Sequence, residues 1–306
     1  MQVDGEEDST ITETTPITIT TFTDGSASSG SPDPQPANTP TPDDRHAAPA
    51  VRSHLLDNVV WHALTGPQSA FATTDSGRAR RFTADVTPMA GVDDPTDPAA
   101  WAELAALLGD EATIIAFEPG SPMPEGWESL ERFTGLQLTD DEFAAESVSG
   151  SVSTPVVAET AEPFAPFPIV RLGVDDVPRI LDLIDRAKPG PFLPRTIEIG
   201  AYFGIFDGEV LVAMAGERLR APGWVEVSAV CTDADYRGRG FAARLVTAVV
   251  EHVHASGDRA FLHVVEGNPA RKVYERLGFR VRNTSDVHLI RPIRAAVAGD
   301  NAGSHR

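Results

Sequence analysis

The apolar positions Leu55, Val59 and Ala63 recur every four residues, with His62 on the same stripe, and Gly66-Pro67 closes the pattern. That spacing predicts a helix. A second helix is predicted over "DPAAWAELAALLGD", opened by Asp97-Pro98 and closed by Gly109, and "EATIIAFEPG" reads as a strand ended by Pro119-Gly120. Further along, "PIVRL" predicts a short strand. Val177, Ile180, Leu181 and Ile184 then share one face of a helix that Lys188-Pro189-Gly190 ends. "AYFGIFDGEVLVAMAGERL" predicts two strands joined at Asp207-Gly208, where both positions tolerate positive φ. A strand over "GWVEVSAVCT" leads into a loop and a helix striped by Phe241, Leu245, Val249 and Val253. "AFLHVV", "PARKVYERLG" and "FRVR" add a strand, a helix and a strand.

Two stretches show no period. Residues 1–48 are dominated by Thr, Ser, Pro, Asp and Glu, with no Lys or Arg before Arg45. They bury too little apolar surface to offset the entropy of ordering, so a disordered acidic tail is expected. The Ser/Pro/Ala-rich stretch 146–166 reads as a linker. The expected organisation is therefore an N-terminal α/β domain over 49–145, a second domain over 167–294 and a flexible tail over 295–306. The first domain carries no glycine-rich loop and no acid/base cluster.

Charge and cysteine content narrow the function classes. The chain has 306 residues and a formal net charge of -20, which would repel a phosphate backbone, so no nucleic-acid partner is expected. No apolar run reaches the roughly 18 residues a membrane helix needs. The N-terminus is acidic and lacks a signal-like apolar core, which points to the cytoplasm. Cys231 is the single cysteine. No internal disulfide can form, and no His/Cys/Asp/Glu spacing suggests a metal.

The chemistry concentrates in "SAVCTDADYRGRGFAARLVTAVVEHV". A helix N-terminus presents unpaired amides and the positive end of its dipole, a natural seat for a phosphate. Gly238 and Gly240 let the backbone approach a ligand without a Cβ, and Arg237 and Arg239 add charge. Two glycines before a helix are equally readable as a tight turn with exposed arginines. Neither GxxxxGK[ST] nor a dinucleotide GxGxxG occurs. The order strand, loop, helix, strand and "ARKVYERLGF" is more specific.

With that constellation, residues 168 to about 292 resemble a GNAT-superfamily N-acetyltransferase. "RGRGFA", residues 237–242, fits the family's pyrophosphate signature Q/R-x-x-G-x-G/A, and "VYERLGF", 273–279, fits its helix and following strand. The whole chain resembles two-domain actinobacterial members whose C-terminal half is related to glycine N-acyltransferases. The resemblance implies an α/β (α+β) fold: a mixed central sheet flanked by helices, preceded by a small α/β unit or a degenerate GNAT-like one. It implies acetyl-CoA or another acyl-CoA as donor, an amine-bearing acceptor, and no metal. The pantetheine arm would bond the backbone of Val230, Cys231 and Thr232. The diphosphate would sit on Arg237, Gly238, Arg239, Gly240, Phe241, Ala242 and Ala243.

Transfer from a thioester to an amine needs a base for the amine and an acid for the leaving thiolate. The resemblance assigns Tyr274 as the acid and Glu226 as the base. By strand alternation Glu226, Ser228, Val230 and Thr232 would share one face. Ser228 could hold a water relay, and His263 is an alternative base or a buried structural histidine. The family often carries an Asn seven residues before the tyrosine. Here Gly267 holds that spacing, and the cofactor contact is carried to Asn268. Cys231 reads as a small buried hydrophobe rather than a nucleophile. The expectation is direct acetyl transfer from acetyl-CoA to an amine; the rival is a non-catalytic acyl-CoA sensor.

Overall fold

The computed structural model describes residues 54–74, 77–143 and 167–293. The expected tails and linker lie outside the described residues. A 3-10 turn, Leu55–Asn58, leads into helix α1, Val59–Leu64, so the first predicted helix is split in two. Strands β1 (Ala79–Arg81) and β2 (Ala90–Val92) form a small ribbon. Helix α2 (Pro98–Leu108) starts where the Asp97 carboxylate accepts from the Ala99 amide at 2.8 Å, with proline in its first turn. Strands β3 (Thr113–Phe117) and β4 (Trp127–Thr139) follow.

From residue 167 onward come β5 (Ile169–Leu172), α3 (Val177–Ala187), β6 (Tyr202–Asp207), β7 (Val210–Ala221) and β8 (Trp224–Thr232). Helix α4 (Phe241–Ala255), β9 (Arg259–Val265), α5 (Arg271–Arg276) and β10 (Arg280–Pro292) complete the chain. The predicted stripe of α4 is buried, with Val246 and Val250 widening it.

One eight-stranded sheet runs β3-β10-β4-β9-β8-β7-β6-β5. The stretches 49–145 and 167–294, expected as separate units, both contribute to it. Strand β4 lies between β9 and β10 and pairs antiparallel with each. On one face α4 and α5 pack against Val225, Val227, Leu136 and Leu138. The other face is covered by α1 beside Leu219 and Phe261 and by α3 beside Met214 and Cys231.

Strand β4 was not foreseen. Its first half, "WESLERF", is rich in charge, and Gly135 interrupts the apolar alternation. A Cβ at Gly135 would stand 2.9 Å from Val287 Cγ2 on the neighbouring strand, so a larger residue there would force that side chain to move. The predicted "FRVR" strand extends to Pro292, with polar side chains where the pair leaves the core.

Removing residues 1–166 would strip β4 from inside the sheet and bare the β9 and β10 edges, a template for aggregation. A fragment of residues 167–294 is expected to be insoluble or to melt without cooperativity. Solubility and a thermal melt followed by circular dichroism check this; a soluble, cooperatively melting fragment would make the second half an autonomous unit.

Candidate active site

Strands β8 and β9 are the parallel pair of an otherwise antiparallel sheet. They pair only at Trp224, Val225 and Glu226 with Arg259, Ala260 and Phe261, and then separate. Beyond Glu226 the β9-facing edge of β8 has no partner strand among the described residues, so its backbone groups can accept an extended ligand. Strand β8 also carries a bulge. Gly216 faces Ser228 and Met214 faces Cys231, one residue more on β8 than on β7, and Ala229 takes a positive φ of 52°. The extra residue reverses the alternation. Cys231 joins Ser228 on the α3 face, while Val230 packs against the core under α4. The expected common face for Glu226, Ser228, Val230 and Thr232 therefore ends at Ser228.

The β8 edge runs into the glycine loop. Gly238 and Gly240 have φ of 78° and 77°, and a Cβ at either would meet nothing within 4 Å. Their backbone faces open space rather than protein. Among the described residues, no acceptor takes the amides of Gly238, Arg239, Gly240, Phe241, Ala242 or Ala243; the ladder resumes with Arg244 donating to Gly240 at 3.1 Å. Six amides at the N-terminus of a 15-residue helix form an anion seat. Arg237 folds back toward the Thr232 carbonyl (3.4 Å), and Arg239 stacks 4.8 Å over the Tyr236 ring. Asp233, ahead of the loop, pairs with Arg186 at 2.7 Å.

Tyr274 lies on α5 within the core that Leu277 and Phe279 share. Burial, with a further contribution from Cys231, raises its pKa above the ordinary 10, so the phenol stays protonated. Thr232 Oγ1 is buried without a protein partner among the described residues. Cys231 is buried, and burial pushes its thiol up to about 12. Asn268 spends its side-chain oxygen on the Ala270 amide at 2.9 Å, an Asx turn that starts α5.

Glu226 is fully buried, and all its acceptor capacity is engaged. Oε1 accepts from Arg218 at 2.6 Å and from His263 Nδ1 at 2.7 Å; Oε2 accepts from Arg218 Nε at 2.8 Å and from the Leu219 amide at 3.3 Å. Burial opposes the charge, but Arg218 and then His263 outweigh it and hold the carboxyl far below its usual range. No lone pair remains for an amine or a water, so direct proton abstraction by Glu226 is closed in this arrangement.

The contacts continue sideways. His263 Nε2 meets Gln137 Nε2 at 3.0 Å, Gln137 Oε1 accepts from Arg282 at 2.6 Å, and Arg282 pairs with Asp57. The series crosses β7, β8, β9, β4 and β10, adjacent strands, and ends on the N-terminal turn. Sequence reasoning missed Gln137, Arg218 and Arg282 because only strand register brings them together. Arg218, Gln137 and His263 line a cleft of about 1300 Å³ that Leu56, Trp61 and Met89 of the N-terminal segment also line. No group of three or more His, Cys, Asp or Glu side chains suited to a metal occurs among the described residues, and no helix among them is long and apolar enough to cross a membrane.

Because the folded pKa of Glu226 is depressed, its stabilisation is complete above the ordinary value of 4.5 and is lost as pH falls toward the folded value. Glu226→Gln leaves the half-buried Arg218 without its counter-charge and is expected to cost about 3 kcal/mol at pH 7. Denaturant unfolding of both forms should show that gap narrowing below pH 4.5; a gap independent of pH would contradict the assignment.

A family model described as FR47-like protein matches residues 202–287, from β6 into β10. Mycothiol acetyltransferase of Corynebacterium glutamicum is 36% identical over 86 residues, 28% of this chain and 30% of the relative. That of Corynebacterium aurimucosum is 42% identical over 62 residues, 20% of each. The matches thus span less than a third of these curated relatives. An acetyltransferase of the GNAT family from Novosphingobium aromaticivorans, known from a crystal structure, is 34% identical with a TM-score of 0.65, over 78% of this chain and 99% of that one. With that similarity spanning the relative almost end to end, the chain belongs to the GNAT family of acetyltransferases.

Proposed function

We propose that the protein transfers an acetyl group from acetyl-CoA directly to an amine. The observation that carries this reading is the continuity of the unpaired β8 edge with the six free amides from Gly238 to Ala243. An extended polar arm ending in a diphosphate fits that path: the arm as an added strand along Val230, Cys231 and Thr232, the phosphates on the helix N-terminus. Arg237 and Arg239 supply charge, and the orphaned Thr232 hydroxyl fits a polar arm. Asn268 would serve this path through its amide nitrogen, since its oxygen is engaged in the turn.

The chemical step follows from which groups hold protons. The amine nitrogen attacks the thioester carbonyl, the C–N bond forms, and the C–S bond breaks with its electron pair leaving on sulfur. Tyr274, kept protonated by burial, gives its proton to that sulfur. Cys231, kept as a neutral thiol, forms no acyl intermediate, which favours direct transfer. The relatives named as mycothiol acetyltransferases support acetyl transfer as the reaction class. Their acceptor is not carried over, because the match covers so little of them.

Calorimetric titration is expected to give micromolar acetyl-CoA binding that 3′,5′-ADP competes. Gly240→Val should weaken it at least about tenfold while the fold persists, since a branched side chain disfavours the φ that aims the amides. Undiminished binding would remove the phosphate from this loop. Tyr274→Phe should lower kcat for an amine found by screening by about 100-fold, with acetyl-CoA affinity unchanged; an equal rate would exclude the tyrosine as acid.

A further inference from the structure

Glu226 cannot receive a proton from an amine, yet the reaction needs an acceptor for one. Among the described residues, His263 is the base next to the point where β8 and β9 part. Its side chain is 26% exposed to the cleft, whereas Glu226 is 0% exposed. We infer that His263 is the proton acceptor of the transfer reaction and that Gln137 is the positioning residue that governs its Nε2. The inference rests on the acetyltransferase reading above.

The hydrogen bonds fix the tautomer. The Glu226 carboxylate can only accept, so His263 Nδ1 carries the hydrogen. Arg282 can only donate, so it fixes which end of the Gln137 amide is oxygen. The amide nitrogen then donates to the Leu56 carbonyl at 3.0 Å and to His263 Nε2 at 3.0 Å. Nε2 is therefore a lone pair, held beside a donor that opposes a second ring proton. The charged groups facing the ring are Glu226 with Arg218 behind it, and Arg282 with Asp57 behind Gln137. The Phe261 ring stands perpendicular to it, with ring centroids 5.6 Å apart.

An amine entering from the cleft takes the place of the Gln137 donor on Nε2, while Gln137 keeps its second hydrogen on Leu56. As the C–N bond forms, the surplus proton on the nitrogen passes to Nε2, and Glu226 balances the imidazolium through Nδ1–H. Tyr274 protonates the departing sulfur. The proton on His263 and the vacancy on Tyr274 then equilibrate through solvent, which restores both groups. The N-terminal segment acts in this step, because it supplies Gln137 and the carbonyl that anchors it.

Nitrogen NMR of the imidazole rings, with a panel of primary amines and acetyl-CoA assayed by thiol release, tests this on the full chain. The expected result is His263 with its hydrogen on Nδ1 and a lone pair on Nε2. His263→Gln should lose about 100-fold in kcat while binding acetyl-CoA normally. Gln137→Leu removes the donor to Nε2 and should shift the Nε2 resonance and change kcat, with acetyl-CoA affinity unchanged. Full activity in His263→Gln, a hydrogen on Nε2, or an Nε2 resonance and kcat indifferent to Gln137→Leu would overturn the assignment while leaving the transferase reading intact. A wild-type protein that binds no acetyl-CoA, or turns over none of the amines, would overturn both.

Discussion

The rest of the site depends on one carboxylate with no room left on it. Glu226 sits on the last rung that β8 and β9 share, and its two oxygens take four donors. A buried charge is tolerable only when it is paired and fully hydrogen-bonded, and here both conditions are met at the place where the sheet opens. The arrangement ties β7, β8 and β9 together immediately before the backbone separates. The opening is therefore a defined geometry rather than a frayed edge. From that rung the bare β8 edge runs on toward the amide nest, and the ring of His263 stands against the carboxylate.

Much of this was legible in the sequence, for local reasons. The α4 stripe, the Asp207-Gly208 turn and the glycine loop are written in consecutive residues, and short-range spacing determines them. Glu226 and His263 were visible as polar side chains on apolar strands. Their relation was not, because it depends on the parallel register that sets Glu226 beside Phe261. The bulge at Ala229 was equally hidden, since no glycine marks it. Its effect was to turn Val230 to the opposite face from the one strict alternation gives.

The larger surprise is the role of the first half. Its strand β4 is a member of the main sheet, with β9 on one side and β10 on the other. Sequence order could not indicate this, because Gln137 and His263 are 126 residues apart. Two polar residues on strands of remote origin become direct neighbours, and the N-terminal segment thereby contributes a side chain to the contacts around His263.

The same insertion bears on how the chain is made. Strand β4 leaves the ribosome early, with Leu136 and Leu138 destined for the core, and neither of its neighbours yet exists. It must remain soluble until β9 and β10 have been synthesised, and only then can the sheet close around it. Contacts so distant in sequence make closure slow and entropically costly. The charges crowded into "WESLERF", which mask the strand's apolar alternation, guard the waiting segment against premature pairing.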